Sequence, residues 1–547
     1  MDRRKCSAIR RSYLSCEGIK PEIILSKKFP VWRESDAMLQ GGAMAKTCIV
    51  CGMAAGSGEH VFPASLGGRR INSGIYCSSH DNSYSGLVSE IADQLDFINA
   101  YLGVRPDHSK HPKTAYAVHK LTGKTVSFSA KGINFTKPWI ISRTAVGEHE
   151  RIQLGFPDQQ SVKTFITEME AKGYPFSPLS KPIQRPYITD ALYHKRSFGG
   201  PCGLGAIAYI AQTFFAQEFP EIARTESLSD FINYTQAIAR IAALGGNEQQ
   251  QNESEKLTQA RQELAVALEP FEGKAPVWWD FTPPADISSN KFDFGHRVTV
   301  GIDGTDGQIY GRVALFSTLT FSICFGEAPR GSITREVNVD INPLANNPPH
   351  DTVKTEILSA PGRVHVPDNM TKQLSYAIST GTQQRLFENL MQRLQEHQLL
   401  NLAGSVNVAL AQCATMSSVE ARELIGEVLD QQLQAIWNLV TFVVKSLQDD
   451  MVKDGMERIA TLLHWMIAPD LQSVSGLSPL AELTLFAAKA ALLTQMEQDC
   501  AAGALNEKRI AELMGRGPGL YVVGKEAISP LLFQLLDGSI TPENVSQ

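Results

Sequence analysis

The sequence predicts an α+β protein in which a small cysteine-rich segment precedes a mostly α-helical region that carries one small antiparallel sheet. Three observations predict this class. Two close pairs of metal-ligand side chains lie between residues 48 and 80. Apolar residues alternate between residues 277 and 345, as in strands with one buried face, and from residue 370 onward they recur at helical spacing.

Length and composition are those of a multidomain globular protein. The chain has 547 residues, more than one hydrophobic core normally supports, and its 43% hydrophobic and 20% charged residues are ordinary proportions. We predict a basic flexible arm, a cysteine-rich domain, a helical region with a polar loop at 245–256, a small antiparallel β region and a C-terminal α-helical bundle. Their predicted bounds are 1–43, 44–145, 146–275, 276–350 and 351–547.

The first segment, 1–43, shows no sustained apolar period. It is either a flexible basic tail or a translated leader before a native start at Met44. It lacks the apolar core of a signal peptide, and the most apolar later run, which begins at Ala435, is too short to span a bilayer. The nine cysteines are odd in number and mostly scattered, which is not a disulfide framework. We therefore expect a cytoplasmic protein without direct membrane insertion.

The cysteine-rich segment has the spacing of a metal site. Cys48 and Cys51 form one close pair, and Cys77 and His80 form a second pair, with 25 residues between Cys51 and Cys77. Each pair can turn back so that both side chains reach one ion, and four such ligands close the tetrahedral shell of a structural Zn²⁺. The spacing therefore predicts a structural zinc.

The elements that follow are predicted from apolar spacing and turn residues. Leu87, Ile91, Leu95 and Ile98 recur at helical spacing, so a helix leaves the cluster. Residues 112–145 alternate and are broken at Thr-Gly, which indicates a hairpin. In the predicted sheet, "DGTDG" has the residues of a hairpin turn and lacks the spacing of a calcium loop, and the Trp-Trp pair before it is expected in the core.

Between the two ligand pairs lie "EH", "VFP", "LGG" and Asn72, and Asp81 and Asn82 follow His80. This combination resembles the HNH, or ββα-metal, endonucleases, especially those with the pattern C-x2-C, EHhhPxxLGG, C-x2-C-N. The resemblance covers residues 48–100. It implies an N-terminal ββα-metal HNH domain that hydrolyses phosphodiester bonds with a divalent cation.

Residue roles follow from the resemblance. His60 would be the general base that takes a proton from the attacking water, and Asn72 would orient it. Glu59 and Asp81 would hold Mg²⁺ or Mn²⁺, with Asn82 as the alternative to Asp81. The chain departs from the family at two positions, because His80 stands where most relatives have Cys and Asp81 stands where they have Asn or His.

Charge is distributed unevenly. Residues 1–143 carry 20 Lys or Arg against 11 Asp or Glu, whereas residues 144–547 have a net charge of −15. A basic surface binds polyanions. Together with the resemblance, this implies double-stranded DNA as partner, with RNA as the alternative substrate. Arg69 and Arg70 are predicted phosphate contacts or, alternatively, solvated hairpin charges.

These observations predict a metal-dependent DNA endonuclease that nicks duplexes and is restrained by its own acidic accessory region. The domain plan is similar to that of HNH effectors of bacterial antiphage defence, including the HNH component of type II Zorya systems. That similarity implies phage DNA and other components of a defence system as partners. The alternative is a zinc-stabilised DNA-binding or scaffold protein without catalysis, for which Glu59, His60, Asn72 and Asp81 would be unnecessary.

Overall fold

The structure is a computed structural model. It describes residues 46–107, 109, 111–120, 123–130, 132–146, 149–156, 159–173, 192–194, 198–245, 255–281, 290–345, 352–358, 364–367, 369–470, 477–515 and 517–541. The predicted basic arm and most of the predicted polar loop lie outside these residues.

Helices and strands are mixed along the described chain, as predicted. The α-helices are α1 (Ser78–Ser83), α2 (Ser85–Gln94), α3 (Asp96–Leu102), α4 (Gln159–Ala171), α5 (Gly200–Glu218), α6 (Ser229–Ala243), α7 (Glu255–Leu268), α8 (Met370–Ser379), α9 (Thr382–Ala409), α10 (Ser418–Gln431), α11 (Leu433–Lys453), α12 (Glu457–Trp465), α13 (Pro479–Ala501), α14 (Glu507–Met514), α15 (Pro518–Val523) and α16 (Ser529–Leu536). The strands are β1 (Glu59–His60), β2 (Ile71–Asn72), β3 (Ala115–His119), β4 (Thr125–Ser129), β5 (Gly132–Phe135), β6 (Trp139–Val146), β7 (His149–Gly155), β8 (Leu192–Tyr193), β9 (Val277–Trp279), β10 (His296–Ile302), β11 (Gln308–Leu315), β12 (Leu319–Glu327), β13 (Arg335–Ile341) and β14 (Thr352–Ile357).

The chain forms two compact units. The first contains the described residues of 18–113 and 196–391, and the second contains those of 114–195 and 392–547. Residues 44–145, which the sequence analysis treats as one domain, contribute to both units.

The first unit is built around an antiparallel sheet in the order β14-β13-β10-β11-β12-β9. Helix α5 packs on β9, β10 and β11 with one side and on α2 and α6 with the other. This explains why α5 is apolar all round, since a helix covered on every side has no polar face to expose. A Cβ at Gly205 would lie 2.2 Å from Ile238 Cγ2. The glycine residues at the start of α5 therefore allow α6 to pack closely against it.

The structure confirms the predicted small antiparallel sheet and its turn. Gly307 N donates to Asp303 O and Asp303 N donates to Gln308 O, which closes a hairpin turn between β10 and β11. Trp278 and Trp279 are buried in the sheet, as predicted. Strand β14 lies beyond residue 350, where the sheet was predicted to end, and β7 and β8 lie in the segment that was predicted to be helical.

The predicted helix after the cysteine cluster is present as α2 and α3, which are separated at Leu95. All four residues of its predicted apolar face are buried (Leu87, Ile91, Leu95 and Ile98). The part of this face that lies on α2 packs against α5 and α6. The cysteine-rich segment is therefore an integral part of the first unit.

The second unit contains a four-stranded antiparallel sheet, a hairpin and a helical bundle. The sheet has the order β5-β4-β3-β8, and pairing of β3 with β4 confirms the hairpin predicted at Thr-Gly. Helices α10 to α16 enclose an apolar core with Trp437 fully buried in it. This agrees with the helical spacing of the C-terminal sequence.

Candidate metal centre and active site

The structure brings the four predicted zinc ligands together. Their ligand atoms all lie within 4.8 Å of one another. Cys48 Sγ lies 3.6 Å and Cys77 Sγ lies 3.2 Å from His80 Nδ1, and Cys51 Sγ lies 3.9 Å from Cys77 Sγ. A tetrahedron with metal–sulfur bonds of about 2.3 Å has edges of about 3.8 Å. The group can therefore hold a metal ion, as the sequence predicted.

Local backbone turns place these ligands. Gly52 N donates to Cys48 O and Cys48 N donates to Met53 O, which folds the first pair into a tight turn. Cys77 precedes α1, and its carbonyl oxygen accepts hydrogen bonds from the backbone of His80 and Asp81. The backbone N–H of His80 is the main cause that lowers the pKa of Cys77 to about 6, which favours the metal-binding thiolate.

Arg224 joins the two ligand-bearing segments. Its Nη2 donates to Thr47 O at 2.9 Å and to Gly74 O at 2.7 Å, and its Nη1 donates to Pro220 O at 2.7 Å. Thr47 and Gly74 each stand just before one ligand pair in the sequence. The Arg224 side chain therefore holds the two ligand-bearing segments next to each other.

The residues between the ligand pairs form a two-stranded antiparallel pair. Glu59 lies opposite Asn72, and His60 lies opposite Ile71. Asn72 Oδ1 accepts a hydrogen bond of 2.8 Å from Gly74 N, which holds the chain as it leaves β2. A Cβ at Gly68 would lie 1.9 Å from Phe62 O, so the "LGG" sequence is required by the close return of the hairpin.

Glu59 and Asp81 bring two carboxyl groups together beside this hairpin. Burial and, second, the neighbouring Asp81 carboxyl group raise the pKa of Glu59 to about 8, while the Tyr209 hydroxyl acts in the opposite direction. Ser57 Oγ donates a hydrogen bond to Asp81 Oδ2. Asn82 is exposed and has no side-chain hydrogen bond within the described chain. Of the two candidates, Asp81 is therefore the one that faces Glu59.

Tyr209 on α5 also borders this carboxyl pair. Its side chain is 2% exposed, and its hydroxyl makes no direct hydrogen bond to any described residue. The hydroxyl lies close enough to Glu59 to influence the carboxyl group electrostatically. The site therefore includes a buried donor supplied from outside the cysteine-rich segment.

His60 has a carboxylate partner that sequence analysis did not identify. Its Nε2 lies 3.2 Å from Asp107 Oδ2, and Asp107 Oδ1 lies 3.2 Å from Arg69 Nη1. The Arg69 side chain is only 7% exposed, whereas Arg70 is exposed and has no partner within the described residues. The two neighbouring arginines thus have different surroundings.

A buried histidine fixes the hairpin loop to the six-stranded sheet. His296 Nε2 lies 3.2 Å from Leu66 O, and Phe316 N donates to His296 Nδ1 at 3.2 Å. Its ring also packs against Phe62 and Phe316, with ring centroids 4.9 Å and 4.7 Å away. Burial lowers the pKa of His296 to about 3, so the ring is neutral and acts as a structural contact.

The residues that sequence reasoning missed are Asp107, Tyr209, Arg224 and His296. Asp107 lies in "VRPDHSK", and the other three lie more than one hundred residues beyond the cysteine cluster. No local spacing links them to the motif, because each reaches the site through tertiary packing. The buried apolar helix that carries Tyr209 was visible in the sequence, but the direction of a single hydroxyl on it was not.

Comparisons of the chain with family models, with curated proteins and with solved structures found no match. No relative therefore supplies a residue role for this chain. The helices that the structure describes include none with the length and apolar character that a membrane span requires.

Proposed function

We propose that this protein is an HNH-type, metal-dependent DNA endonuclease with a structural zinc. The observation that carries the proposal is that the Asp81 carboxyl group lies close enough to Glu59 to act on its pKa, and that Glu59 directly precedes His60 on a hairpin that is followed by a helix. Two carboxyl groups that approach each other in a partly buried place repel when both are ionised. A divalent cation between them would remove that repulsion, so the two carboxyl groups are suited to bind such a cation.

The four-ligand cluster supports a structural role for zinc. Three sulfurs and one imidazole nitrogen complete a tetrahedral shell, so no position stays open for a substrate. The two ligand pairs flank the hairpin in sequence. Zinc bound there would hold the start of the hairpin and the start of α1 at a fixed separation.

The carboxyl pair supports a second, catalytic cation. Mg²⁺ in proteins usually takes one or two carboxylates and fills its other positions with water and substrate phosphate. Glu59 and Asp81 provide such a pair, and a cation there would supply charge neutralisation on the scissile phosphate. Asn82 is the less suitable ligand because its side chain is exposed and, unlike Asp81, is not among the groups that act on Glu59.

His60 and Asn72 have the roles of base and support in this proposal. His60 follows Glu59 at the end of β1, and in this proposal it takes a proton from the water that attacks the phosphate. Asn72 lies opposite Glu59 and holds the turn after β2 through Gly74 N. Asn72 thus supports the hairpin through the backbone. The exposed Arg70 is the better candidate for a phosphate contact, since its guanidinium is not engaged by described residues.

The test is cleavage of supercoiled plasmid by the purified full-length protein with Mg²⁺ or Mn²⁺, with labelled RNA in parallel. We expect open circles before linear product, because one site engages one scissile phosphate. His60→Ala should abolish cleavage with DNA affinity unchanged, and His365→Ala, an exposed histidine of the same unit, should cleave as wild type.

Retained cleavage by His60→Ala would refute the assigned base. Binding of DNA with no cleavage under any metal condition would favour the zinc-stabilised DNA-binding protein instead. A role in antiphage defence, with phage DNA and other defence components as partners, rests on the resemblance alone. It requires a plaque assay that compares wild type with His60→Ala.

A further inference from the structure

The carboxylate of Asp107 bridges His60 and Arg69. One of its oxygens lies 3.2 Å from His60 Nε2 and the other lies 3.2 Å from Arg69 Nη1. The side chain of His60 is 13% exposed and that of Asp107 is 28% exposed. The Arg69 guanidinium, the Asp107 carboxylate and the His60 imidazole are therefore connected by two successive contacts.

Arg69 is held by protein acceptors on three sides. Its Nε donates to Ala345 O at 3.0 Å and its Nη2 donates to Arg105 O at 3.3 Å, in addition to the contact with Asp107. These bonds come from two separate segments of the chain. Because the Arg69 guanidinium donates to these protein acceptors, it is a poor candidate for a phosphate contact. It instead fixes the position of the Asp107 carboxylate.

An ionised carboxylate accepts hydrogen bonds and cannot donate them. The neutral imidazole of His60 must therefore carry its proton on Nε2 if it is to bond Asp107. Nδ1 is then the nitrogen that can accept a proton. The contact selects one of two tautomers, and only that tautomer presents a base on the other side of the ring.

We infer that Arg69 and Asp107 are positioning residues that hold His60 in the Nε2–H tautomer, with Nδ1 as the basic atom. This inference rests on the proposed endonuclease function. In the step that it serves, the water gives one proton to Nδ1 while its oxygen forms the new bond to phosphorus. The P–O3′ bond breaks, the leaving oxygen takes a proton from solvent, and His60 returns its extra proton to solvent. Asp107 keeps its charge throughout and stabilises the imidazolium.

An alternative role for Asp107, as an inhibitory group, predicts faster rather than slower cleavage when the carboxylate is removed. A carboxylate between a histidine and an arginine could instead occupy the place of the scissile phosphate and be displaced by DNA. Removing it would then speed cleavage and tighten DNA binding. The burial of Arg69 argues against that role, because a phosphate contact has to be reached from solvent.

The first measurement is single-turnover cleavage by Asp107→Asn, with Asp93→Asn as the matched control at an exposed position of the same unit. We expect the cleavage rate to fall about 10- to 100-fold, a part of the roughly 10²- to 10⁴-fold that a positioned general base contributes. DNA affinity should not fall, and the control should match wild type. Faster cleavage by Asp107→Asn would overturn the inference.

The second measurement needs no cleavage. Ring ¹⁵N chemical shifts of the full-length protein, with the His60 signals assigned by their loss in His60→Ala, report which nitrogen carries the proton. We expect the Nε2–H tautomer in wild type and a mixture in Asp107→Asn. The Nδ1–H tautomer in wild type, or no change in Asp107→Asn, would overturn the inference. If the protein cuts no nucleic acid, the proposed function fails while this test of the tautomer still gives its answer.

Discussion

The Glu59 carboxyl group lies against the Asp81 carboxyl group, although Glu59 belongs to strand β1 and Asp81 to helix α1. Strand and helix reach this arrangement because Cys77 ends the connection between them and begins the helix. The four-residue Cys3His cluster and the acidic pair are therefore parts of one local structure. A shift of the Cys77–His80 pair would separate the carboxyl groups.

We predict that Asp81 and not Asn82 holds the catalytic cation. In the inactive His60→Ala background with duplex DNA present, Asp81→Ala should weaken Mn²⁺ binding at least about tenfold, the lower end of what loss of even an outer-shell partner costs. Asn82→Ala should bind Mn²⁺ as before. Electron paramagnetic resonance of free Mn²⁺ measures both. Weakening by Asn82→Ala alone would reverse the assignment.

The cysteine cluster should hold one zinc that survives chelation mild enough to remove Mg²⁺. Elemental analysis should find about one zinc per chain, because the four ligands close the coordination shell. Cys51→Ser should lose zinc and lower the unfolding temperature. Cys324→Ser, which changes a free cysteine of the same unit, should keep its zinc. Full zinc content in Cys51→Ser would show that the ion is held elsewhere.

Local signals in the sequence predicted the parts of the site that depend on spacing. The two ligands of each close pair are brought together by a local turn, so their spacing in the sequence is enough to predict the cluster. The structure places all four ligands together. Arg69 and Arg70 show where such signals fail. Two adjacent arginines look equivalent in the sequence, yet the hairpin buries one against Asp107 and exposes the other.

Long-range partners could not be predicted for a related reason. Arg224 donates to the backbone carbonyls of Thr47 and Gly74. Every residue has a backbone carbonyl, so nothing in the sequence marks these two as acceptors. Apolar spacing identified the buried face of α2 and α3, but it could not show that α5 and α6 cover this face on α2.

Stability should depend on the neutral state of His296. Burial lowers its pKa from 6.5 to about 3, so the unfolded chain binds this proton at a higher pH than the folded chain does. The free energy of unfolding should therefore fall as pH drops below about 6.5, by up to about 1.4 kcal/mol per pH unit from this group. Urea unfolding of wild type and His296→Gln between pH 7 and pH 4 measures the difference in slope. An identical slope in both proteins would contradict the prediction.

The cysteine-rich segment should not fold by itself, even with zinc. Gln212 Nε2 on α5 lies 3.1 Å from the Tyr76 hydroxyl and 3.2 Å from the Tyr84 hydroxyl, and Thr235 on α6 donates to Gln212 Oε1 at 2.7 Å. Both tyrosines are fully buried, so a fragment that lacks α5 and α6 would expose their rings and leave their hydroxyl groups without these partners.

A fragment of residues 44–145 should therefore lack a cooperative unfolding transition, whereas the full chain should show one. In the full chain, Gln212→Ala should lower the free energy of unfolding by about 1–3 kcal/mol, because it leaves buried polar groups unpaired. The surface substitution Gln384→Ala is the control. A fragment that binds one zinc and unfolds cooperatively would contradict the prediction. Such a fragment would also allow a direct test of restraint by the acidic remainder of the chain, since a restrained enzyme should nick DNA faster once that remainder is removed.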